Sequence, residues 1–361
     1  MSKLRVGIVF GGRSVEHEVS VASATSILEA LDPSRYDVSL LCVDTEGRWR
    51  LGGPGAIPSN ASRGEEVSLP AVPGDGTLLS AKAGRPVGRL DVVVPIIHGT
   101  GGEDGCIQGF LELAGVPYVG SGVLGSAIQM DKDVAKKLLR AEGIPVVPWI
   151  AARATEIAAG AQAVADVAIR ELGLPAFVKP ASLGSSVGVS KAKTRAQLVE
   201  GLRGAARYDD KILVERAVNA REIEVAVLGN DAPEASVLGE IVPKAEFYDY
   251  ESKYVDDDTE LLVPAPVDEE IAERARALAL RAFRILEGAG LARVDFFLDR
   301  DTGELFLNEL NSLPGFTEVS MYPRLWQASG LSYPALLDRL IELALERHRG
   351  RAALERTYRR G

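Results

Sequence analysis

Two polar side chains end the short apolar stretch LFLNELN, where a strand would otherwise simply alternate. Because side chains alternate along a strand, Glu309 and Asn311 lie on one side of it. The preceding stretch ARVDFFLD alternates as well and brings Arg293 and Asp295 to one face. A turn centred near residue 302 sets Asp295 opposite Glu309. In the same register Arg293 faces Asn311, although a shift of one residue would separate these pairs.

Two carboxylates and an amide oxygen on one face form a set of hard oxygen ligands, which is the type that holds Mg²⁺ together with phosphate oxygens. The alternative is an acidic hairpin face that water solvates. The alternating residues are apolar enough for the hairpin to be buried, and a buried pair of carboxylates requires a cation. The pattern therefore favours a metal site at Asp295, Glu309 and Asn311.

A glycine- and serine-rich loop follows a lysine at the end of another strand, in FVKPASLGSSVGVS. The loop residues are Gly184, Ser185, Ser186 and Gly188. Such a loop can bring backbone N–H groups and hydroxyls close to phosphates, with the ammonium of Lys179 as the counter-charge. It is not a Walker A motif, in which the lysine comes after the glycines. A plain turn would explain these residues equally well.

Carboxylates flank a junction between strands in VERAVNAREIEV. Glu215 ends one strand and Glu222 begins the next, so their oxygens could accept hydrogen bonds from an adenine amine and from ribose hydroxyls. Exposed glutamates at strand ends are equally common. These two residues are therefore candidates for nucleotide binding, with a solvated surface as the alternative.

Two loops near the N-terminus follow buried strands. Glu16 lies in the loop after the first strand, and His98 directly follows VVVPII. In open α/β sheets, ligands bind at the carboxyl edge of the strands. Both residues are therefore candidates for substrate binding, although a histidine that is hydrogen-bonded at a turn is the alternative for His98.

The elements that position these residues begin with strands that alternate with helices, which predicts an open, mostly parallel sheet of α/β type. The predicted strands of this part are 4–10, 36–44 and 90–99. The segment between the last two, 45–89, is rich in Gly and Pro and is interpreted as a surface excursion.

The rest of the chain mixes helices with short strands joined by turns, so the whole protein is α+β. Strands at 211–218, 221–229 and 236–243 suggest an antiparallel sheet. The acidic and aromatic stretch 244–262 has no periodicity, which predicts a long mobile loop. The predicted helices start near 131 and cover 155–172, 268–287 and 331–348.

Composition limits the function classes. The chain has 361 residues, 46% of them hydrophobic, which suffices for two or three domains with ordinary cores. A net charge of -10 argues against nucleic acid and membrane surfaces as partners, so small molecules are expected. Two cysteines, Cys42 and Cys106, indicate buried thiols and no disulfide framework or zinc site. No secretory signal and no apolar run of the ~20 residues of a membrane helix is found, so a cytoplasmic location is expected.

Seven segments of the chain together match one family and occur in its order. They are VFGGRSVEHEVS, PIIHGTGGEDG, GSGVLGSAIQMDK, FVKPASLGSSVGVS, FYDYESKY, RVDFFLD and LNELNSLPGFTEVSMYP. They resemble the D-alanine:D-alanine ligases of the ATP-grasp superfamily. The resemblance implies a Rossmann-like N-terminal domain with an open parallel sheet over 1–131. A two-subdomain ATP-grasp fold over 132–217 and 218–361 would follow, with 244–262 as a lid.

The reaction that the resemblance implies starts when ATP phosphorylates the carboxylate of a first D-alanine. The amine of a second D-alanine then attacks the acyl phosphate, and the product, D-alanyl-D-alanine, serves peptidoglycan synthesis. Two Mg²⁺ ions, or Mn²⁺, would assist, and the enzyme would be a homodimer. Relatives that make D-alanyl-D-lactate carry a histidine where this chain has Tyr254, which favours D-alanine here. A ligase that uses D-lactate or D-serine is the alternative.

Matching motifs also imply the residues that hold the nucleotide and the metal. Lys132, Lys179 and Ser186 would bind the ATP phosphates. Glu215 would meet the adenine amine and Glu222 the ribose hydroxyls. The metal ligands would be Asp295, Glu309 and Asn311.

The same resemblance implies residues around the two D-alanines. Glu16 would bind the ammonium of the first, with Ser185 and Tyr254 joined to it by hydrogen bonds, and His98 would lie beside that substrate. The remaining roles belong to the last part of the chain. Arg293 and the Gly315 backbone N–H would stabilise the developing oxyanion, and Ser320 would take the carboxylate of the second D-alanine.

Two readings from other classes are weaker. A non-catalytic nucleotide sensor of this fold would be expected to lack a residue of the set Lys179, Arg293, Asp295 and Glu309, and all are present. A dinucleotide-binding dehydrogenase would need GxGxxG after the first strand, where the chain has GIVFGG followed by Arg13.

Overall fold

The computed structural model describes residues 2–53, 55–242 and 260–355. Most of the predicted loop 244–262, including Tyr254, lies outside the described residues. The last three residues of that loop form a short strand, Glu260–Leu262.

An open sheet of seven strands begins the chain, in the order β6-β5-β4-β3-β2-β1-β7. Its elements are β1 (Leu4–Gly11), α1 (His17–Ala30), β2 (Tyr36–Val43), β3 (Trp49–Leu51), α2 (Pro58–Ala61), β4 (Glu65–Ser68), β5 (Thr77–Ser80), β6 (Pro86–Arg89) and β7 (Val92–Pro95). The helices α3 (Cys106–Ala114) and α4 (Val123–Met130) follow. β1 is buried from Val6 onward and runs parallel to both of its neighbours, β2 and β7.

The sheet is open as predicted, but it is mixed and not mostly parallel. The segment 45–89, interpreted from sequence as a surface excursion, supplies four strands, and each pairs antiparallel with the strand before it. Antiparallel neighbours can be joined by short turns, so this segment extends the sheet without crossover helices. The strands are only three or four residues long, and for that reason their alternation was too short to recognise.

A second sheet has four strands in the order β10-β9-β11-β8, and all its pairs are antiparallel. Its elements are α5 (Lys132–Ala141), β8 (Trp149–Arg153), α6 (Ala154–Leu172), β9 (Ala176–Pro180), β10 (Ser190–Ala192), α7 (Arg195–Ala205) and β11 (Lys211–Arg216). The predicted strand 211–218 was expected to pair with the two strands after it. It belongs here instead, because β11 pairs with β8 and β9 on its two sides.

The third sheet is antiparallel, with five strands in the order β14-β13-β12-β15-β16. Its elements are β12 (Ala220–Gly229), β13 (Glu234–Val242), β14 (Glu260–Leu262), α8 (Glu269–Ile285), β15 (Gly290–Asp299) and β16 (Leu305–Asn311), followed by α9 (Met321–Ala328) and α10 (Tyr333–Ala352). Helix α8 packs on the face that carries Ile223 and Val225. The opposite face, with Ala226 and Leu228, packs in a shared core with α9 and α10.

Helix α10 joins the first and third sheets. Its residues Leu337 and Leu340 share a core with Ile8 and Val94 of the first sheet. At its C-terminal end, Arg347 donates through Nη2 to the carbonyl of Tyr118 at 3.0 Å and through Nη1 to the carbonyl of Gly120. Helix α10 is therefore packed against the first sheet and bonded to the segment 118–120 that follows α3.

The hairpin of β15 and β16 has the predicted pairs. Asp295 lies opposite Glu309, and Arg293 lies opposite Asn311. A bulge at Asn308 shifts the register by one residue, because Phe296 pairs with Leu307 while Asp295 pairs with Glu309. The predicted register is confirmed, and the bulge accounts for it.

Two smaller expectations differ in outcome. Cys42 is buried as predicted, whereas Cys106 is exposed. Cys106 is the first residue of α3, and the side chain at that position points away from the apolar face that buries Ile107 and Leu111. Among the described helices, none combines the length and the apolar composition that a bilayer crossing requires.

Candidate active site

A buried cluster of charges lies between the second sheet and α5. Lys179 on β9 and Glu215 on the adjacent β11 form an ion pair, with 2.6 Å between Nζ and Oε2. The other carboxylate oxygen of Glu215 lies 3.0 Å from Nζ of Lys136 on α5. Both Lys136 and Glu215 are almost fully buried. One carboxylate therefore serves two ammonium groups away from water.

The pKa shifts in this cluster follow from burial and charge. Burial would raise the pKa of Glu215, but the ammonium groups of Lys136 and Lys179 outweigh it and lower that pKa. Burial would lower the pKa of Lys179, but Glu215 and Glu309 outweigh it and raise that pKa. Only for Lys136 does burial prevail, so that its pKa is lowered despite the attraction of Glu215. Lys179 thus keeps a charge that suits an anionic ligand.

Lys132 connects this cluster to the other parts of the site. It is the first residue of α5, and its Nζ donates to the carbonyl of Leu183 at 2.7 Å. The same Nζ lies 3.5 Å from Oε2 of Glu309 on the hairpin. The helix start is fixed by Asp131, whose side chain accepts hydrogen bonds from two backbone N–H groups of the first turn. Lys132 is therefore placed by a capped helix end.

The glycine- and serine-rich loop has a backbone that few residues adopt. Ser185 and Ser186 have φ of 48° and 58°, and Gly188 has 72°. A positive φ is uncommon for residues other than glycine and marks sites that the surroundings hold in place. The loop lies next to Lys132 through Leu183. Of the other predicted nucleotide ligands, Glu222 lies close enough to Lys179 to raise its pKa.

The hairpin carries the predicted metal ligands. Arg293 donates two hydrogen bonds of 2.8 Å to Asp295, from Nε to Oδ1 and from Nη2 to Oδ2. Nδ2 of Asn311 donates to the same Oδ2 at 2.9 Å. Burial would lower the pKa of Arg293, but Asp295 and Glu224 raise it well above its ordinary value. Arg293 is thus a partly buried, permanently charged group beside the carboxylates.

The donor set fits Mg²⁺. Asp295 and Glu309 face each other across the hairpin, with Asn311 beside them. These are oxygen donors of the kind that a hard divalent cation prefers, and Mg²⁺ takes its remaining ligands from phosphate oxygens and water. No group of three or more His, Cys, Asp or Glu side chains that could hold a metal occurs among residues 2–53, 55–242 and 260–355. The protein would therefore supply part of the coordination and a bound phosphate the rest.

Glu16 and Ser185, which are far apart in sequence, meet in the structure. Ser185 donates a hydrogen bond through Oγ to Oε1 of Glu16, whose side chain is buried. Oε2 of Glu16 lies against Gly99, where a Cβ would come within 2.6 Å of it. Gly99 has a φ of 78° and directly follows His98, so its lack of a side chain allows this close approach. The structure therefore brings Glu16 and Ser185 together beside the loop after β7, which contains His98 and Gly99.

His98 is buried and both ring nitrogens have partners. Nδ1 lies 3.2 Å from the carbonyl of Leu313, and Nε2 lies 3.0 Å from Oγ of Ser23 on α1. Because a carbonyl only accepts, Nδ1 carries the proton and Nε2 accepts from Ser23. Ser23 Oγ in turn accepts from the backbone N–H of Phe316 at 3.4 Å. His98 therefore ties the first sheet to the loop after β16.

The loop after β16 holds the last predicted residues. Ser320 precedes α9, and its Oγ accepts from the backbone N–H of Thr317 at 3.1 Å and lies 2.7 Å from Thr317 Oγ1. A Cβ placed at Gly315 would lie 3.3 Å from Ser320 Oγ, so the two residues are neighbours. Gly315 and Ser320 thus lie in the same loop, and Gly315 comes four residues after Asn311, the last residue of β16.

The structure places three further residues in the site that the sequence reading missed. Lys136 follows Lys132 by one helical turn, and this spacing could have indicated that both face the same way. Glu224 follows Glu222 by two positions, so alternation could have placed it on the same strand face. Ser23 carries no signal in the sequence, since a serine in a helix is common. Tyr254 lies outside the described part of the chain.

The comparisons with known proteins agree with this geometry. The family model for the D-ala D-ala ligase N-terminus matches residues 5–121, and the model for the D-ala D-ala ligase C-terminus matches residues 138–342. A D-alanine--D-alanine ligase A of Chromobacterium violaceum is 52% identical over 370 residues, which cover 99% of each chain.

Solved structures of this family have the same fold. The D-alanine-D-alanine ligase of Coxiella burnetii has a TM-score of 0.86 at 37% identity and covers 98% of this chain and 97% of its own. The VanG D-Ala:D-Ser ligase of Enterococcus faecalis has a TM-score of 0.84 at 32% identity and covers 95% of this chain and 100% of its own. These likenesses confirm the predicted ATP-grasp fold class. The chain belongs to the D-alanine–D-alanine ligase family.

Proposed function

We propose that this protein joins two D-alanine molecules to D-alanyl-D-alanine at the expense of ATP, for peptidoglycan synthesis. The observation that carries the proposal is the 52% identity to a D-alanine--D-alanine ligase A across 99% of both chains. The alternative, a ligase for D-lactate or D-serine as second substrate, is represented among the structural neighbours by a D-Ala:D-Ser ligase at 32% identity. The higher identity favours D-alanine.

The nucleotide roles are proposed for the buried charge cluster. Lys132 and Lys179 offset the repulsion between a triphosphate and a carboxylate, and Ser186 adds a hydroxyl and a backbone N–H from the strained loop. Glu215 and Glu222 accept from the adenine amine and the ribose hydroxyls. The support is that both lysines lie near the hairpin carboxylate Glu309: Lys132 contacts it, and Lys179 is attracted by its charge.

For the metal, we propose that Asp295, Glu309 and Asn311 hold two Mg²⁺ ions, for which Mn²⁺ can substitute. When bound, the ions neutralise charge on the transferred phosphoryl group. The residues of the chain act around that charge. Glu309 lies opposite Asp295 and contacts Lys132, so a cation held by the two carboxylates would lie near the ammonium that is proposed to bind the phosphates.

The substrate roles are proposed for the loops at the edge of the first sheet. Glu16 binds the ammonium of the first D-alanine, supported by Ser185 and by Tyr254, and Arg293 with the Gly315 N–H stabilises the oxyanion. Ser320 takes the carboxylate of the second D-alanine. Because Nε2 of His98 accepts from Ser23, we assign His98 to holding these loops together. His98 and a bound phosphate oxygen are the two groups that could take the proton of the attacking amine, and the bond to Ser23 makes the phosphate oxygen the better candidate.

An acyl phosphate hydrolyses readily, so water must be excluded while the amine attacks. We propose 244–262 as the lid that does so. We also propose domains at 1–131, 132–217 and 218–361, which is supported by the fact that each of the three sheets lies within one of these ranges. A homodimer in the cytoplasm, where ATP is supplied, stays a prediction that light scattering and fractionation can test.

Phosphate release from ATP in the presence of Mg²⁺ tests the proposal. D-alanine should support release and yield the dipeptide, whereas L-alanine should not. Mixed assays of D-alanine with D-lactate or D-serine, followed by mass analysis of the products, identify the second substrate. A dominant mixed product at equal concentrations would establish the alternative ligase, and no release with any acceptor would refute the proposed function.

A further inference from the structure

Three carboxylates form a row across the third sheet. Asp295 on β15 lies opposite Glu309 on β16 and opposite Glu224 on β12. Directly opposed residues of antiparallel strands point to the same face, so the three side chains lie on one face. Glu224 is 3% exposed and therefore buried. It is the member of the row that has no role in the proposed metal site.

The positive charge beside this row is Arg293, whose guanidinium contacts two of the carboxylates, Asp295 and Glu224. Nε and Nη2 hold Asp295, as described above, and Nε also lies 3.1 Å from Oε2 of Glu224. The attraction of Asp295 and Glu224 outweighs burial and raises the pKa of Arg293. The guanidinium is therefore a fixed positive charge between a candidate metal ligand and a second carboxylate.

This arrangement creates a competition at Asp295. Arg293 engages both of its carboxylate oxygens, while the proposed function requires those oxygens for Mg²⁺. A cation at Asp295 must weaken the contact with Arg293. A guanidinium that is only 19% exposed and loses its carboxylate needs another partner, because an uncompensated charge with little access to water is unfavourable. Glu224 lies in place to be that partner.

We propose that Glu224 is a positioning residue, which keeps the Arg293 guanidinium in the site when Asp295 turns its oxygens to Mg²⁺. The inference rests on the proposed function, since it assumes that Asp295 binds the metal and that Arg293 acts on the substrate. Without Glu224, the carboxylate in contact with Arg293 among the described residues would be Asp295, with Glu309 attracting it from farther away. Metal binding and the placement of Arg293 would then be in conflict.

A matched control exists in the same sheet. Glu240 on β13 is 4% exposed and holds Arg221 through bonds of 2.7 and 2.6 Å. Glu240 pairs with Ile223, one position from Glu224, so its side chain lies on the opposite face of the sheet. Glu224→Gln and Glu240→Gln therefore each remove the charge of a buried carboxylate that contacts a partly exposed arginine, but only the first lies in the site.

The experiment measures Mn²⁺ affinity in the presence of a non-hydrolysable ATP analogue, from the electron paramagnetic resonance signal of free Mn²⁺. Glu224→Gln should weaken Mn²⁺ binding and lower kcat by about 10- to 100-fold, which is the usual effect of removing a residue that orients a metal ligand. The KM for ATP should change little. Glu240→Gln should leave Mn²⁺ affinity and kcat near those of the wild type. Equal effects of the two variants would overturn the inference.

Two further variants separate positioning from a general loss of negative charge. Glu224→Asp retains the carboxylate and should recover part of the Mn²⁺ affinity, and it also serves if Glu224→Gln does not fold. In an Arg293→Met background, Glu224→Gln should weaken Mn²⁺ binding no further, because Glu224 is proposed to act through Arg293. An undiminished effect there would refute positioning. A wild-type chain that binds Mn²⁺ and nucleotide but releases no phosphate with D-alanine would refute the proposed function alone.

Discussion

Replacing Glu215 by glutamine removes the carboxylate that Lys136 and Lys179 share. Its oxygens lie 3.0 and 2.6 Å from the two ammonium nitrogens, and Lys136 has almost no exposure. Removing one partner of a buried ion pair costs about 3–5 kcal/mol. We expect the lower end, about 3 kcal/mol, because Lys179 is also attracted by Glu309 and Glu222.

Scanning calorimetry of the ligand-free protein measures this effect. A loss of about 3 kcal/mol should lower Tm by roughly 6 to 12 °C for a cooperative unit of about 150–250 residues. Glu171→Gln is the control, because its ion pair with Arg170 is exposed and should contribute little to stability. If Glu215→Gln melts at the wild-type temperature, Glu215 does not compensate the buried ammonium groups.

The pH dependence of the same variant has a definite sign. The pKa of Lys136 is already below its ordinary value of 10.5, and losing Glu215 removes an attraction that raises it. The unfolded chain then binds more protons than the folded one up to about pH 10.5, so stability rises with pH over that range. The stability deficit of Glu215→Gln should therefore shrink between neutral pH and pH 10. A deficit that grows instead would contradict the assignment.

A double substitution completes the test. Glu215→Gln with Lys136→Met removes the carboxylate together with the ammonium that depends on it most. Replacing both partners is far less costly than leaving a single buried charge. We expect the double variant to melt above Glu215→Gln alone, and a double variant that shows the full sum of two losses would refute the coupling.

Three further predictions concern other parts of the site and its support. Glu309→Gln should reduce Mg²⁺-dependent phosphate release by more than about 100-fold, because the loss of a metal ligand should exceed the loss of a residue that only orients one. A fully active variant would refute the metal assignment. Ser23→Ala should raise the KM for D-alanine by up to about tenfold, because it breaks the bond to His98, and steady-state kinetics with unchanged KM would contradict this role. Arg347→Met should destabilise the fold by about 2 kcal/mol through two lost carbonyl contacts, seen as a lower Tm.

What the sequence could predict depended on how local each contact is. The hairpin of Asp295 and Glu309 is formed by consecutive strands, so alternation and a short turn suffice to place its pairs. The neighbour on the other side of β15 is β12, which precedes it by a strand pair and a helix. Nothing local specifies that neighbour, and for this reason Glu224 was missed although it lies directly opposite Asp295.

The buried lysine was missed for a different reason. A lysine in a helix is normally solvated, and the pattern of α5 allows Lys136 to be read as part of a polar face. Its burial depends on β11 lying between β9 and β8, which places Glu215 beneath the helix. The sequence reading instead grouped this strand with the two that follow it. Because β11 belongs to the second sheet and not to the third, the contact between Lys136 and Glu215 did not follow from the predicted sheets.

The bulge in β16 shows how one extra residue determines the site. Near the turn, Leu298 pairs with Leu305 and Phe296 with Leu307. If that register continued, Asp295 would face Asn308, and its present partner Glu309 would point to the other side of the sheet. The bulge inserts Asn308 without a partner and returns the carboxylates to one face. The pairing of Leu298 with Leu305 centres the turn between residues 301 and 302. The prediction from sequence centres it near residue 302, and for this reason it pairs Asp295 with Glu309 without a bulge. Regular alternation could thus identify the pair, but not the irregularity on which the pair depends.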